Sequence, residues 1–68
     1  MKTEKAQFLV EQINPLLKNT TSYIRRVKVD PDNEQIELIN LFGSILHRVD
    51  YKGRHTLDVI HEIVENAL

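Results

Sequence analysis

The sequence contains no cysteine and no tryptophan, and it has only two glycines and two prolines. Without cysteine the chain can form no disulfide, and its three scattered histidines give no zinc-site signature. A chain of 68 residues buries only about 60% of the surface that its unfolded form exposes. Small domains of this kind usually depend on disulfides, metals or association. These absences predict an isolated subunit of marginal stability, held together by side-chain packing or by a partner.

Long apolar runs are also missing. None approaches the length of a membrane-spanning helix, and the charged segment Met1–Gln7 is not followed by the apolar stretch of a signal peptide. We therefore expect a cytosolic protein without membrane association. Nine basic and ten acidic residues give a formal net charge of -1, which provides no general attraction to nucleic acids.

Residues that could perform catalysis are scarce. Ser22 and Ser44 do not stand in a nucleophile motif, and the carboxylates are scattered rather than paired by their spacing. Neither glycine-rich nucleotide-binding motif is present. The segment His61–Glu65 lacks the second histidine of a H-E-x-x-H zinc motif. A surface pair between His61 and Glu65, one helical turn apart, is sufficient explanation for this spacing. The sequence predicts no enzyme, no cofactor and no metal site.

Two segments have helical periodicity. In the first, the apolar residues fall within an arc of about 120° on a helical wheel; they are Ala6, Leu9, Val10, Ile13, Leu16 and Leu17. Pro15 predicts a kink or an end near Ile13–Leu17. The second helix, Leu57–Leu68, has Thr56 as its expected N-cap and an apolar arc of about 180°. An arc this wide indicates a contact beyond one sheet face.

Three segments alternate between apolar and polar residues as strands do: Tyr23–Val29, Gln35–Leu41 and Ser44–Tyr51. The connections Asp30–Asn33 and Phe42–Gly43 are short enough to make consecutive strands pair as hairpins. The predicted fold is a single α+β domain, residues 1–68, in which a three-stranded antiparallel β-meander is flanked by N- and C-terminal helices (α-β-β-β-α).

The turn lengths also predict the register of the strands. They place Val27, Ile36 and Val49 in one row and, on the opposite face, Arg26, Glu37 and Arg48 in another. Opposite charges then alternate across the second row, which favours this register over a one-residue slip.

Both helices are expected to cover one face of the sheet, which carries Tyr23, Val27, Val29, Ile36, Leu38, Ile45, Val49 and Tyr51. His47 would lie on this face, opposite Leu38, as a partly buried and hydrogen-bonded side chain. The other face would present Ile24, Ile39, Leu41 and Leu46 to water, an apolar patch of roughly 300 to 400 Å², near the upper end for monomers.

This patch has three interpretations. It is the interface of a two-fold homodimer, in which the Arg26, Glu37 and Arg48 row also meets its copy, or a site for a different protein, or ordinary core if one helix lies on each side of the sheet. Phe8, on the polar side of the first helix, is a further candidate anchor, although isolated surface hydrophobes are common. We expect a non-enzymatic protein-interaction module, a homodimer that acts by binding another cytosolic protein. Its build is similar to that of many small accessory proteins of bacteria and their phages.

Two other functions belong to different classes. A nucleic-acid-binding protein would use the basic residues Arg25, Arg26, Lys28, Arg48, Lys52 and Arg54. It would also need aromatic side chains beside them, whereas Tyr23 and Tyr51 are expected on the helix-covered face. A small-anion sensor would use the start of the last helix, where main-chain N–H groups are free; its residues would be Lys52, Gly53, Arg54, His55 and Thr56. A solvated basic turn explains the same stretch.

Overall fold

The computed structural model describes all residues from Met1 to Leu68. Its elements are helix α1 (Thr3–Leu17), strands β1 (Ile24–Asp30), β2 (Gln35–Asn40) and β3 (Ile45–Asp50), and helix α2 (Thr56–Ala67). The strands form one antiparallel sheet in the order β1-β2-β3. The predicted α-β-β-β-α meander is confirmed. Neither helix combines the length and the apolar character needed to cross a membrane.

The helix ends follow local chemistry. Pro15 lies in the last turn of α1, and the helix ends at Leu17, within the predicted segment. The Leu17 carbonyl then accepts hydrogen bonds from both the main-chain nitrogen and the hydroxyl of Thr20, at 3.2 and 2.9 Å. The prediction of Thr56 as N-cap of α2 is wrong: Thr56 is the first helical residue, and His55 holds the cap position without a side-chain hydrogen bond.

One core holds the two helices against the sheet. Its members come from both helices and from a single face of the strands, so the helices lie side by side on that face and the other face stays open. The core residues are Ala6, Val10, Leu17, Ile24, Val27, Val29, Ile36, Leu38, Val49, Tyr51, Val59 and Ile63. Burial of their apolar area is the dominant stabilising contribution, at about 25 cal/mol per Å².

The second predicted register is confirmed from Gln35 to Leu38 but is wrong at Ile39, which pairs with Ile45, and the first predicted register is wrong. Glu37 pairs with Arg48 as expected, but Arg26 pairs with Ile39 because Asp30 stays in β1 and pairs with Gln35. The turn is therefore Pro31–Glu34, in which Glu34 adopts a positive φ of 51°. The shift is two residues, so each side chain keeps its face. The mixed-charge row of the open face becomes Lys28, Glu37 and Arg48, and the core-side row becomes Val29, Ile36 and Val49.

Two irregularities break the alternation at one end of the sheet. The pairing of β1 with β2 skips Arg25, and the pairing of β3 with β2 skips Leu46, so each edge strand has one extra residue opposite the end of β2. An extra residue reverses which face the following side chains occupy. Three predicted positions are therefore wrong: Ile24 is core and only 2% exposed, whereas Tyr23 and Ile45 are exposed.

Candidate interaction surface

One end of the molecule is unusually rich in exposed apolar side chains. The last turns of both helices, the start of β1 and the β2–β3 turn lie there, because Ile24 pairs with Asn40 and two adjoining grooves connect these segments. Ten large hydrophobic side chains are exposed in the whole chain, and all except Phe8 and Leu57 lie at this end. We call it the apolar end; its exposed hydrophobic residues are Leu16, Tyr23, Leu41, Phe42, Ile45, Leu46, Val64 and Leu68.

The β2–β3 turn is ordered by the side chain of Asn40. Its Oδ1 atom accepts hydrogen bonds from the main-chain nitrogens of Phe42 and Ser44, at 3.0 and 2.9 Å. Gly43 has a φ of +83°, a conformation that favours glycine. These hydrogen bonds fix the main chain of the turn, and the Phe42 side chain projects from it with 87% of the residue's surface exposed. An aromatic side chain on an ordered turn loses little main-chain entropy when it binds.

Two grooves run across the apolar end and share the segment Thr20–Ser22 as a common wall. The larger, of about 500 Å³, is lined by Thr20, Thr21, Ser22, Tyr23, Arg25, Asn40, Leu41, Phe42 and Leu46. The smaller, of about 260 Å³, is lined by Leu17, Thr20, Thr21, Ser22, Ile63, Val64, Ala67 and Leu68. The two helix ends and the sheet end therefore form one continuous surface.

The common wall is fixed by Arg25. Its guanidinium donates hydrogen bonds to the carbonyl oxygens of Thr20 (3.1 Å) and Ser22. The hydroxyl of Ser22 in turn accepts one from the main-chain nitrogen of Ile24 at 3.0 Å. Arg25 is thus committed to internal contacts rather than directed outward, and the main chain between α1 and β1 is held in place.

The exposed area at the apolar end is large for a chain of this size. With about 200 Å² for a fully exposed aromatic side chain and about 100 Å² for an aliphatic one, its eight hydrophobic residues expose about 700 Å². The largest apolar patch of a typical monomer covers about 300 to 600 Å². Area above this range is typical of a surface that another molecule covers.

The predicted interface residues are divided between different places. Ile24 is buried in the core, so the prediction that it faces water is wrong. Ile39 lies on the open face between its cross-strand partners Arg26 and Ile45. It is only 4% exposed, so the prediction that it faces water is also wrong. Leu41 and Leu46 are exposed and belong to the apolar end, whereas Phe8 is exposed on α1 away from it.

The middle of the open face is charged rather than apolar. Next to the row of Lys28, Glu37 and Arg48 lies a row in which the Gln35 amide donates to the Asp50 carboxylate at 2.9 Å. Asp30 completes that row, and its pKa is lowered by a hydrogen bond from the Asn33 side chain, with a smaller contribution from the charge of Arg48. Apolar contact is therefore available on this face only beside the apolar end.

The predicted anion loop directs its arginine inward. The Arg54 guanidinium donates to the Asp50 carbonyl at 2.9 Å, to the Glu62 carboxylate at 2.6 Å and to the Asp58 carbonyl at 3.4 Å. Asp58 also places a negative charge in the first turn of α2, where an anion would bind. Lys52, Gly53 and His55 are exposed around this turn, and nothing in their arrangement favours an anion over water.

Glu62 links β3, the β3–α2 loop and α2. Its carboxylate contacts His47 Nε2 at 2.9 Å and Arg54 at 2.6 Å. The hydrogen bond with His47 is the largest cause that lowers the pKa of Glu62; burial opposes it, and the hydrogen bond and charge of Arg54 lower the pKa further. The prediction that His47 is partly buried and hydrogen-bonded on the helix-covered face is confirmed.

Sequence reasoning missed most of the apolar end. The alternating pattern places Tyr23 and Ile45 on the covered face, because one-residue bulges leave no mark in it. The sequence indicates only a turn at Phe42. For Val64 and Leu68 the sequence does contain a signal of exposure, since both lie in the wide apolar arc of the last helix.

No family model, curated protein or solved structure matches the chain. Its function is therefore inferred from this surface.

Proposed function

We propose that the chain is a non-enzymatic protein-interaction module that binds another polypeptide through the apolar end. The observation that carries the proposal is the gathering of eight of its ten exposed large hydrophobic side chains at one end of the molecule. Isolated surface hydrophobes need no explanation, but six of these eight residues line two adjoining grooves, which is typical of a binding site.

The expected energetics are adequate for a specific complex. Covering about 700 Å² of apolar surface contributes on the order of 15 kcal/mol before costs. Association costs about 4 to 15 kcal/mol in lost translational and rotational freedom. The balance depends on a few well-placed anchors, and Phe42 and Tyr23 are the residue types that supply them, at 87% and 85% exposure.

A polypeptide suits this surface better than a nucleic acid does. Exposed Tyr23 and Phe42 could stack on bases, but the grooves beside them are lined by aliphatic and hydroxyl side chains. Their one arginine, Arg25, is hydrogen-bonded to main-chain carbonyls. A single-strand binder instead needs a basic groove that follows the phosphates.

The proposal is tested by comparing immobilised wild-type protein with two variants in lysate of the source cell. Leu41→Ser/Phe42→Ser removes the apolar side chains of the turn, whereas Phe8→Ser removes an exposed aromatic residue outside the apolar end and serves as the control. We expect at least a tenfold loss of captured polypeptide, the chain itself included, for the double variant and none for the control. Equal capture by all three proteins would contradict the proposal. So would salt-dependent binding of a labelled oligonucleotide that needs Phe42.

A further inference from the structure

We infer that the polypeptide bound at the apolar end is a second copy of this chain, related to the first by a two-fold axis through that end. The inference rests on the proposed function and names the partner. It also moves the dimer interface that the sequence predicts from the middle of the open sheet face to the end of the molecule, beside the β2–β3 turn.

The area fits a two-fold dimer. In such a dimer the same patch serves both subunits, so the buried surface is twice the patch. Two patches of about 700 Å² bury about 1,400 Å², which lies within the range of about 1,200 to 2,000 Å² for stable specific interfaces.

The charges also favour contact between identical surfaces. No acidic residue occurs in residues 16–25 or 39–46, which supply six of the eight exposed hydrophobic residues of the apolar end. The basic residues in these ranges are Lys18 and Arg25, and the second is hydrogen-bonded to carbonyl oxygens of its own chain. Two copies can therefore meet there without burying like charges against each other, a cost of several kcal/mol where it occurs.

The middle of the open sheet face, by contrast, cannot meet its copy without burying charged side chains. Stacking two copies through its middle would bury the row of Lys28, Glu37 and Arg48 together with the adjacent carboxylates of Asp30 and Asp50. Removing so many charged groups from water costs more than their pairing returns. A foreign partner chosen by charge would also be expected at the charged rows of the open face, rather than at the apolar end, where the charged side chains are Lys18, Arg25 and Glu65.

The apolar end has both a projection and a groove, so its shape can complement that of a second copy. It has an exposed aromatic side chain, Phe42, at the rim of a groove of about 500 Å³ that Phe42 lines together with Tyr23 and Leu46. A two-fold axis allows Phe42 of each copy to enter the groove of its partner, so both aromatic rings leave water in one reciprocal contact. A chain of 68 residues with a core of 12 would also gain stability from association by mass action.

Sedimentation equilibrium of the wild type and three variants tests the inference. Over about 1 to 200 µM, which covers dissociation constants typical of weak homodimers, we expect the wild type to pass from the 8.0 kDa monomer to twice that mass. Phe42→Ser should weaken the dimer at least tenfold, whereas Phe8→Ser and the open-face variant Arg48→Glu should leave it unchanged. Phe42 lies outside the core, and an unchanged circular-dichroism spectrum will show that its variant folds.

Each of the other outcomes contradicts a defined part of the inference. A dimer that survives Phe42→Ser and is lost in Arg48→Glu places the interface on the open face. A wild type that stays monomeric, but captures a foreign protein in a Phe42-dependent way, refutes the second copy and leaves the proposed function standing. A monomer without such capture refutes both.

Discussion

The side-chain amide of Asn14 pairs with both main-chain polar groups of Val27. Its Nδ2 atom donates to the Val27 carbonyl at 3.0 Å, and its Oδ1 atom accepts from the Val27 nitrogen at 2.8 Å. A helix side chain thus takes the place that a neighbouring strand would have beside β1. Unpaired edge strands invite association with other chains, and this contact closes the middle of one edge. Association through β1 is therefore disfavoured.

We expect Asn14→Ala to destabilise the fold by about 1 to 3 kcal/mol, because two main-chain groups lose their partner at the helix–sheet boundary. The measurement is urea unfolding followed by circular dichroism. Gln12→Ala, at an exposed position of the same helix, is the matched control and should change stability by less than about 0.5 kcal/mol. Equal effects of the two substitutions would show that the Asn14 contact does not stabilise the fold.

The β1 bulge makes a prediction about two adjacent residues. Ile24→Ala should cost about 2 to 4 kcal/mol, because it leaves a cavity in the core, whereas Tyr23→Ala should be close to neutral. Regular alternation would require the reverse order. Chemical denaturation of the two variants distinguishes these arrangements, and a larger loss for Tyr23→Ala would rule out the bulge.

Glu62 gives the fold a defined acid sensitivity. Because its pKa in the folded protein lies below the usual glutamate value of 4.5, its contribution is present above about pH 4.5 and is lost as the pH falls through the lower folded pKa. Glu62→Gln should lower stability by about 0.5 to 1 kcal/mol at pH 7, since the contact is partly exposed. It should also flatten the decline of stability below pH 4.5.

Thermal unfolding at several pH values measures this effect. Glu65→Gln is the control, because Glu65 has only a 3.9 Å surface contact with His61. An acid profile that Glu62→Gln leaves unaltered would contradict the assignment of this sensitivity to Glu62.

The two glycines allow the turn to be tested separately from stability. Both adopt a positive φ, +83° for Gly43 and +66° for Gly53, with open space where a Cβ would be. Alanine at either position should therefore cost about 1 to 2 kcal/mol through main-chain strain. Gly43→Ala should also weaken self-association, because it disturbs the turn that presents Phe42, whereas Gly53→Ala should not. Sedimentation of the two variants decides whether the turn geometry matters for binding.

Some of these features could be predicted from the sequence and others could not. The order of the elements follows from periodicity and turn residues. The faces predicted for the central strand residues are correct in spite of a register error of two residues, because side chains alternate with a period of two. The bulges at Arg25 and Leu46 could not be predicted, since one extra residue has no compositional signature. The sequence also does not predict the contact of Asn14 with Val27, because an amide on the polar side of a helix is normally solvated.

The extra residues Arg25 and Leu46 have a consequence for how such a domain can change over time. The rows from Val27 to Val29 and their partners in β2 and β3 have regular pairing, while the displacement of side chains is confined to the strand ends beyond them. A one-residue insertion or deletion at those ends would exchange which side chains meet solvent and leave the central rows untouched. Specificity for a partner could then diverge quickly between descendants that keep the same interior.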